Sequence, residues 1–137
     1  MIMKIIHNIL AVIFGIFIGA TVNMTLINLS GSIIAPPEGA DLTTMEGLTA
    51  AMHMFEPKHF IMPFLAHAFG TLIGAIIAGL VAATHKKIFA LSIGFVFLIG
   101  GIMMVFQLPS PIWFTCVDLI LAYIPMAIIA GRITDRS

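Results

Sequence analysis

Two ionisable side chains, His67 and Asp118, stand inside apolar stretches of the sequence. His67 lies in the segment PKHFIMPFLAHAFG, residues 57–70, and Asp118 lies in FTCVDLILAY, residues 114–123. An ionisable group deep in a membrane costs at least ~2.5–3.5 kcal/mol on insertion scales, and such groups usually face the interior of a helix bundle. An aspartate beside a histidine also titrates near neutral pH, as a proton-coupled step requires. We therefore predict that His67 and Asp118 form a ligand-binding or proton-binding pair.

Asn23 and Gln107 extend this polar set to the other two apolar segments. Each depth is counted at 1.5 Å per residue from the outer end of the residue's own segment. His67 lies about 13 Å below that end, and Asp118 and Asn23 each lie about 10 Å below theirs. Gln107 closes its segment near the same surface. We expect the four side chains to line one outward-facing polar cavity that binds a small ligand or ion. The alternative is that they only hydrogen-bond across helices, at roughly 0.6 kcal/mol each.

The composition places these residues in a membrane protein. The chain has 137 residues, of which 61% are hydrophobic and 9% charged, whereas roughly 25% of the residues in an average soluble domain are charged. Six basic and six acidic residues cancel, so no basic field is present to hold nucleic acid. The lipid bilayer is the partner that this composition requires, and we predict no nucleic-acid partner.

Four apolar segments are long enough to cross a hydrocarbon core of about 30 Å. They cover residues 5–29, 60–83, 88–107 and 112–131, with an outer loop at 30–58 and two short turns between the later segments. Short connections make sequential helices antiparallel neighbours. The sequence therefore predicts an all-α integral membrane protein, a single domain over residues 1–137, with four transmembrane helices in two antiparallel hairpins.

The distribution of basic residues predicts the orientation. One side of the predicted bundle carries Lys4, Lys86, Lys87, Arg132 and Arg136. The other side carries only Lys58, within a connection that also holds four acidic residues. Because basic residues concentrate on the cytoplasmic side of membrane proteins, we expect both termini in the cytoplasm and the 30–58 loop outside.

The outer loop contains a helix signal of its own. Thr43 and Glu46 have the spacing of a capping box, in which each side chain satisfies a free N–H group at a helix start. Apolar residues then recur at helical spacing until Pro57. We predict a short amphipathic helix here, lying on the outer membrane surface or covering the end of the bundle.

Histidines near this loop raise the question of a metal or haem. His53, Glu56 and His59 lack a spacing that fixes metal geometry. His59 and His67 are about 12 Å apart along one helix axis, too far to be opposite axial ligands of one haem iron. We predict no metal and no other cofactor.

Small residues mark the packing faces of two spans. Gly15 and Gly19 precede Asn23 at four-residue intervals, and Gly70 and Gly74 follow His67 on one helical face. Small residues at this spacing let membrane helices approach closely. We predict that these four glycines form helix-packing contacts.

The segments PPEGADLTTMEGL, EPKHFIMPFLAHAFGT and FTCVDLILAYIPMA, on a four-span chain, resemble a family of small four-helix bacterial inner-membrane proteins to which no activity is assigned. The resemblance covers most of the chain. It implies a location in the bacterial inner membrane, and it brings no activity, cofactor or site residue with it.

Three functions are compatible with the sequence. The first, which we prefer, is a protein that binds or transports a small ligand or ion in the polar cavity, with proton coupling as an option. The second is an accessory or scaffolding membrane subunit that associates through its small-residue faces. The third is an intramembrane enzyme for a lipid or quinone-like substrate, with His67 and Asp118 as acid and base. So short a chain rarely builds a transport path alone, so we expect a homo-oligomer or a larger membrane complex.

Overall fold

The structure, a computed structural model, describes residues 1–136, and its elements are all helical. The α-helices are α1 (Ile2–Ile33), α2 (Met45–Ala51), α3 (Ile61–Val81), α4 (Lys86–Gln107), α5 (Ile112–Leu121) and α6 (Ile124–Asp135), with short 3₁₀ turns at Met52–Met54 and Pro57–Phe60. No strand occurs within the described range. The all-helical fold predicted from the apolar segments is therefore confirmed.

Four helical stretches are long and apolar enough to cross a membrane. They are Ile2–Ile33, Pro57–Val81, Lys86–Gln107 and Ile112–Asp135. The shortest has 22 residues, which corresponds to about 33 Å and exceeds the hydrocarbon core of about 30 Å. By length and composition, these helices indicate a multi-pass membrane protein.

The last of these stretches covers the predicted fourth span at 112–131, but its helix is interrupted, which was not predicted from the sequence. α5 ends at Leu121, and α6 begins only at Ile124. Between them, Tyr123 has φ −115° and ψ −77°, outside regular helix geometry. Pro125 explains the break, because proline has no N–H to donate to the Leu121 carbonyl and its ring crowds that carbonyl. The interruption lies one turn beyond Asp118.

α1 and α3 cross with their backbones in contact at four glycines. A Cβ atom on Gly74 would lie 2.5 Å from the carbonyl oxygen of Gly15, and one on Gly19 would lie 2.7 Å from that of Gly70. Since the earlier residue of α1 meets the later residue of α3, the two helices run in opposite directions. The structure thus brings together the four glycines singled out in the sequence, at a crossing that admits no larger side chain.

α4 and α6 pack on each other and on α3. Gly94 of α4 faces Ala127 of α6, and Gly101 faces the hydroxyl of Tyr123 just before α6. This order makes α4 and α6 antiparallel. The core shared by the three helices consists of Ala75, Ala78, Ala90, Ile93, Ala127 and Ala130. Because five of these six side chains are alanine, the helices approach closely and leave little room for a wide internal cavity.

Polar contacts join three chain segments at one end of the bundle, called the inner end below. Asn8 Nδ2 donates to Thr84 Oγ1 at 2.9 Å, and Asn8 Oδ1 accepts from the Ala83 N–H at 3.0 Å. Lys87 Nζ lies 2.8 Å from Asp135 Oδ2. The start of α1, the α3–α4 connection and the end of α6 therefore lie together.

The outer loop contains a short helix, α2, whose cap differs from the prediction. The Gly47 N–H donates to Thr44 Oγ1 at 3.0 Å, so Thr44 rather than Thr43 is the N-cap. The Thr43 hydroxyl and N–H instead donate to Asp41 Oδ1, at 2.6 and 2.9 Å. These two donors, the hydroxyl first, lower the pKa of Asp41 below its usual value. The Thr43 capping box was wrong because Asp41 competes for the same hydroxyl.

His59 joins the turn before α3 to the segment that follows α1. Its Nδ1 accepts the Glu56 N–H at 2.8 Å, and its Nε2 lies 3.1 Å from the carbonyl oxygen of Ala35. Because Nδ1 acts as an acceptor, the neutral ring carries its proton on Nε2 and donates it to Ala35. Both ring nitrogens thus serve the loop structure.

Aromatic side chains pack where the outer loop meets α5. The ring centroids of Phe60 and Phe114 are 4.7 Å apart, and Trp113 meets Phe60 edge-on at 5.5 Å. Met52, from the loop, packs against Phe60 and Phe114. These four residues are called the outer aromatic cluster below, and they form an apolar layer at the outer end of α3 and α5.

Candidate functional site

His67 on α3 and Asp118 on α5 are in direct contact. The distance from His67 Nδ1 to Asp118 Oδ1 is 2.8 Å. The Asp118 side chain is 8% exposed and that of His67 is 23% exposed, so the carboxylate lies inside the bundle while the ring reaches toward its surface. A buried carboxylate is stable only where donors replace the water that it has lost.

Tyr123, at the break between α5 and α6, supplies the second donor. Its hydroxyl donates to Asp118 Oδ2 at 3.0 Å. Its ring also stacks on the imidazole of His67, with centroids 5.9 Å apart and planes 25° apart. Each oxygen of Asp118 therefore has one partner, and His67, Asp118 and Tyr123 together form what we call the polar triad.

Sequence reasoning missed Tyr123. A tyrosine hydroxyl is neutral near pH 7, so a search for ionisable residues within apolar segments passes over it. Two signals were present in the sequence: Tyr123 is the only tyrosine of the chain, and it lies between Asp118 and Pro125. A proline that interrupts the helix one turn after a buried carboxylate frees the intervening residues to turn toward that carboxylate.

The geometry determines what the triad can do chemically. An ionised aspartate only accepts hydrogen bonds, so the proton between Asp118 and His67 belongs to His67 Nδ1. The neutral ring then has an unprotonated Nε2, for which no partner occurs among residues 1–136. A carboxylate on one ring nitrogen fixes the tautomer and the orientation of the ring. Nε2 of His67 is therefore the atom that can take up a proton or a small hydrogen-bond donor.

Asn23 lies beside this triad but is not part of its hydrogen bonds. Its Cβ is 3.0 Å from the position that a Cβ on Gly70 would occupy, and Gly70 is one helical turn from His67 on α3. Within residues 1–136, the Asn23 side-chain oxygen is buried without a hydrogen-bond partner. An unpaired buried acceptor is costly, and it gives the α1–α3 interface a polar group with unused capacity near His67.

Gln107 lies apart from the other three residues of the predicted set. It is the last residue of α4 and is exposed. Depth below the membrane surface, which grouped it with His67, Asp118 and Asn23, does not say toward which neighbour a side chain points. The structure thus brings His67 and Asp118 together, places Asn23 of α1 beside Gly70, and leaves Gln107 at the end of its helix.

The three polar residues near the outer loop have separate roles. Glu56 and His59 form a capping box for the turn before α3. The Glu56 side chain accepts the His59 N–H, and the His59 side chain accepts the Glu56 N–H. His53 is exposed in the preceding turn. No group of three or more His, Cys, Asp or Glu side chains that could hold a metal ion occurs in the part of the chain that the structure describes.

The outer aromatic cluster lies between the triad and the loop formed by residues 30–58. Phe114 precedes Asp118 by one turn of α5, and Phe60 lies two turns before His67. Between them, Phe64 packs against both the aromatic cluster and the Tyr123 environment. An apolar layer therefore separates the triad from the outer loop.

No protein-family model, no curated protein and no solved structure matches this chain. Its function is therefore inferred from its own residues.

Proposed function

We propose that this chain is a small multi-pass protein of the bacterial inner membrane that binds and exchanges a proton at His67, as part of binding or transporting a small ligand or ion. The observation that carries the proposal is the 2.8 Å contact between His67 and the buried Asp118. A carboxylate is an expensive way to obtain a hydrogen bond between helices, because asparagine or serine would supply one without a buried charge.

The exchange involves two atoms of one ring. Asp118 holds the Nδ1 proton and balances the charge that appears when Nε2 is protonated, while Tyr123 stabilises the other carboxylate oxygen. The ring can therefore gain and lose a proton without leaving its place between α3 and α5. Asn23, whose side-chain oxygen is buried without a partner, packs against Gly70, one turn of α3 from His67.

The ends of the bundle support an orientation with both termini in the cytoplasm. Contacts of Asn8 with Thr84, and of Lys87 with Asp135, bring together the start of α1, the α3–α4 connection and the end of α6. Five of the six basic residues belong to these segments, as the rule for cytoplasmic loops requires. The triad then lies in the half of the membrane nearer the outer face.

Proton exchange can be tested in vesicles that contain a pH-sensitive dye. Vesicles with the wild-type protein should dissipate an imposed pH gradient faster than vesicles without protein. Asp118→Asn should lower the rate to that of protein-free vesicles, because the amide can still accept from Tyr123 but carries no charge to balance a protonated His67.

Glu38→Gln is the matched control. Glu38 is an exposed carboxylate in the outer loop, and its replacement should leave the wild-type rate unchanged. Equal rates for wild type, Asp118→Asn and protein-free vesicles would contradict the proposal and favour the accessory-subunit function instead.

A further inference from the structure

A shallow apolar groove lies between the first half of α1 and the start of α4. It has a volume of about 410 Å³ and is lined by Ile5, Asn8, Ile9, Val12, Ile13 and Phe89. The groove exists because α1 packs mainly along α3 and only lightly on α4. It is called the inner groove below, because the contacts of Asn8 place it at the inner end of the bundle.

Basic residues stand where the inner groove meets the inner end. Lys4 precedes Asn8 by four residues and so lies on the same face of α1, one turn nearer the end. Asn8 is bonded to Thr84, and Lys86 follows shortly after as the first residue of α4. The lysines thus belong to the two helices that form the walls of the groove.

The lining of the groove requires an occupant that is almost wholly apolar. Ile9 and Ile13 expose about half of their surface along it, at 55% and 53%. Its one polar lining residue, Asn8, already bonds to Thr84 and Ala83. A ligand that matches both the lining and the lysines has a long apolar portion and an anionic end.

We propose that the inner groove binds an anionic phospholipid of the inner leaflet, with an acyl chain along Ile9 and Ile13 and the phosphate near Lys4 and Lys86. Basic residues at the cytoplasmic ends of transmembrane helices bind anionic headgroups in this way. The proposal rests on the placement of the helices in a membrane, but it does not depend on proton exchange at His67.

A second copy of the chain fits the same surface less well. In a symmetric dimer the same patch faces itself, which would bring Lys4 and Lys86 of one chain toward those of the other. Like charges placed opposite each other across an interface are unfavourable. The charge of the groove therefore favours an anionic lipid over a copy of this chain.

The proposal can be tested by native mass spectrometry of the delipidated protein in mild detergent. The probes are phosphatidylglycerol and phosphatidylcholine with identical acyl chains. We expect tighter binding of phosphatidylglycerol, and Lys4→Gln and Lys86→Gln should each weaken it about fivefold. Ile9→Trp, which fills the groove, should reduce the binding of both lipids.

Two control variants keep this experiment specific. Lys58→Gln removes a lysine at the outer end, and Ile99→Trp enlarges an α4 side chain that is 59% exposed and lies outside the groove. Both should bind phosphatidylglycerol like the wild type.

Three results would overturn the proposal: equal binding of the two lipids, unchanged phosphatidylglycerol binding in both groove lysine variants, or equal losses in the two controls. A dimer that excludes phosphatidylglycerol and is dissociated by Ile9→Trp would also overturn it, because the groove would then be a contact between copies. Because none of these measurements involves His67, failure here is distinguishable from failure of proton exchange.

Discussion

At the α1–α3 crossing, Gly15 and Gly74 bring two backbones into contact with no side chain between them, whereas His67 and Asp118 join α3 to α5 through a buried ionisable pair. Both contacts lie in the same bundle, and α3 takes part in each. The glycine crossing shows that these helices associate closely without any charge. Packing therefore does not explain the buried carboxylate, and the comparison points to chemistry at the second contact rather than at the first.

The largest expected effect is at the crossing. In Gly74→Leu the new side chain would meet the backbone of Gly15 and Gly19, which cannot move aside as a flexible side chain can. We expect a loss of about 3 kcal/mol in the free energy of unfolding, at the upper end of the range for overpacking. Denaturant unfolding in detergent would measure it.

Gly100→Leu is the matched control for this prediction. No heavy atom lies within 4 Å of a Cβ built on Gly100, so the same substitution should change stability little. Equal losses at the two positions would contradict the conclusion that the crossing admits no larger side chain.

A smaller effect is expected at the polar triad. Tyr123→Phe removes the hydroxyl that donates to Asp118 Oδ2 while it keeps the ring that stacks on His67. The buried oxygen would lose its donor, so we expect unfolding free energy to fall by about 2 kcal/mol. Thr25→Val provides the comparison, since the Thr25 hydroxyl bonds only to the Thr21 carbonyl at an exposed site, and little change is expected there. A Tyr123→Phe protein as stable as wild type would show that the hydroxyl contributes nothing to holding the carboxylate.

The smallest effect concerns Asp41, a carboxylate that also has donors but lies in water. Its pKa is lowered in the folded loop, so its stabilising contribution is present above the unfolded pKa and is lost as the pH falls through the lower, folded value. The Thr43 amide resonance should therefore titrate with a midpoint below the reference value of 3.8. It should not titrate in Asp41→Asn. A midpoint at or above 3.8 would mean that the Thr43 donors are absent in solution.

The sequence predicted the helical class and the pair His67 and Asp118 because both follow from a single rule, namely that an apolar segment crosses the membrane and seldom contains an ionisable residue. It did not predict the break at Tyr123. Pro125 was visible, but hydrophobicity alone makes residues 112–131 look continuous. The sequence also did not predict the direction in which each side chain points around its helix axis. Gln107 was therefore grouped with His67 on depth alone.

Asn8 shows another limit. It lies near the end of the first span, where a polar residue needs no special explanation, so its contact with the α3–α4 connection has no sequence signal. A long-range contact between two uncharged side chains depends on how the helices cross. That crossing is set by the glycines of α1 and α3, which the sequence does mark.

The most direct test of proton handling by the triad is nitrogen NMR of the His67 ring in lipid bilayers. The His67 signals would be assigned by their loss in His67→Gln, since the chain has five histidines. We predict that the neutral ring carries its proton on Nδ1 alone, and that acidification adds a second proton at Nε2 while Nδ1 keeps its own. A ring that gains no second proton on acidification, or whose neutral form carries its proton on Nε2, would contradict this account.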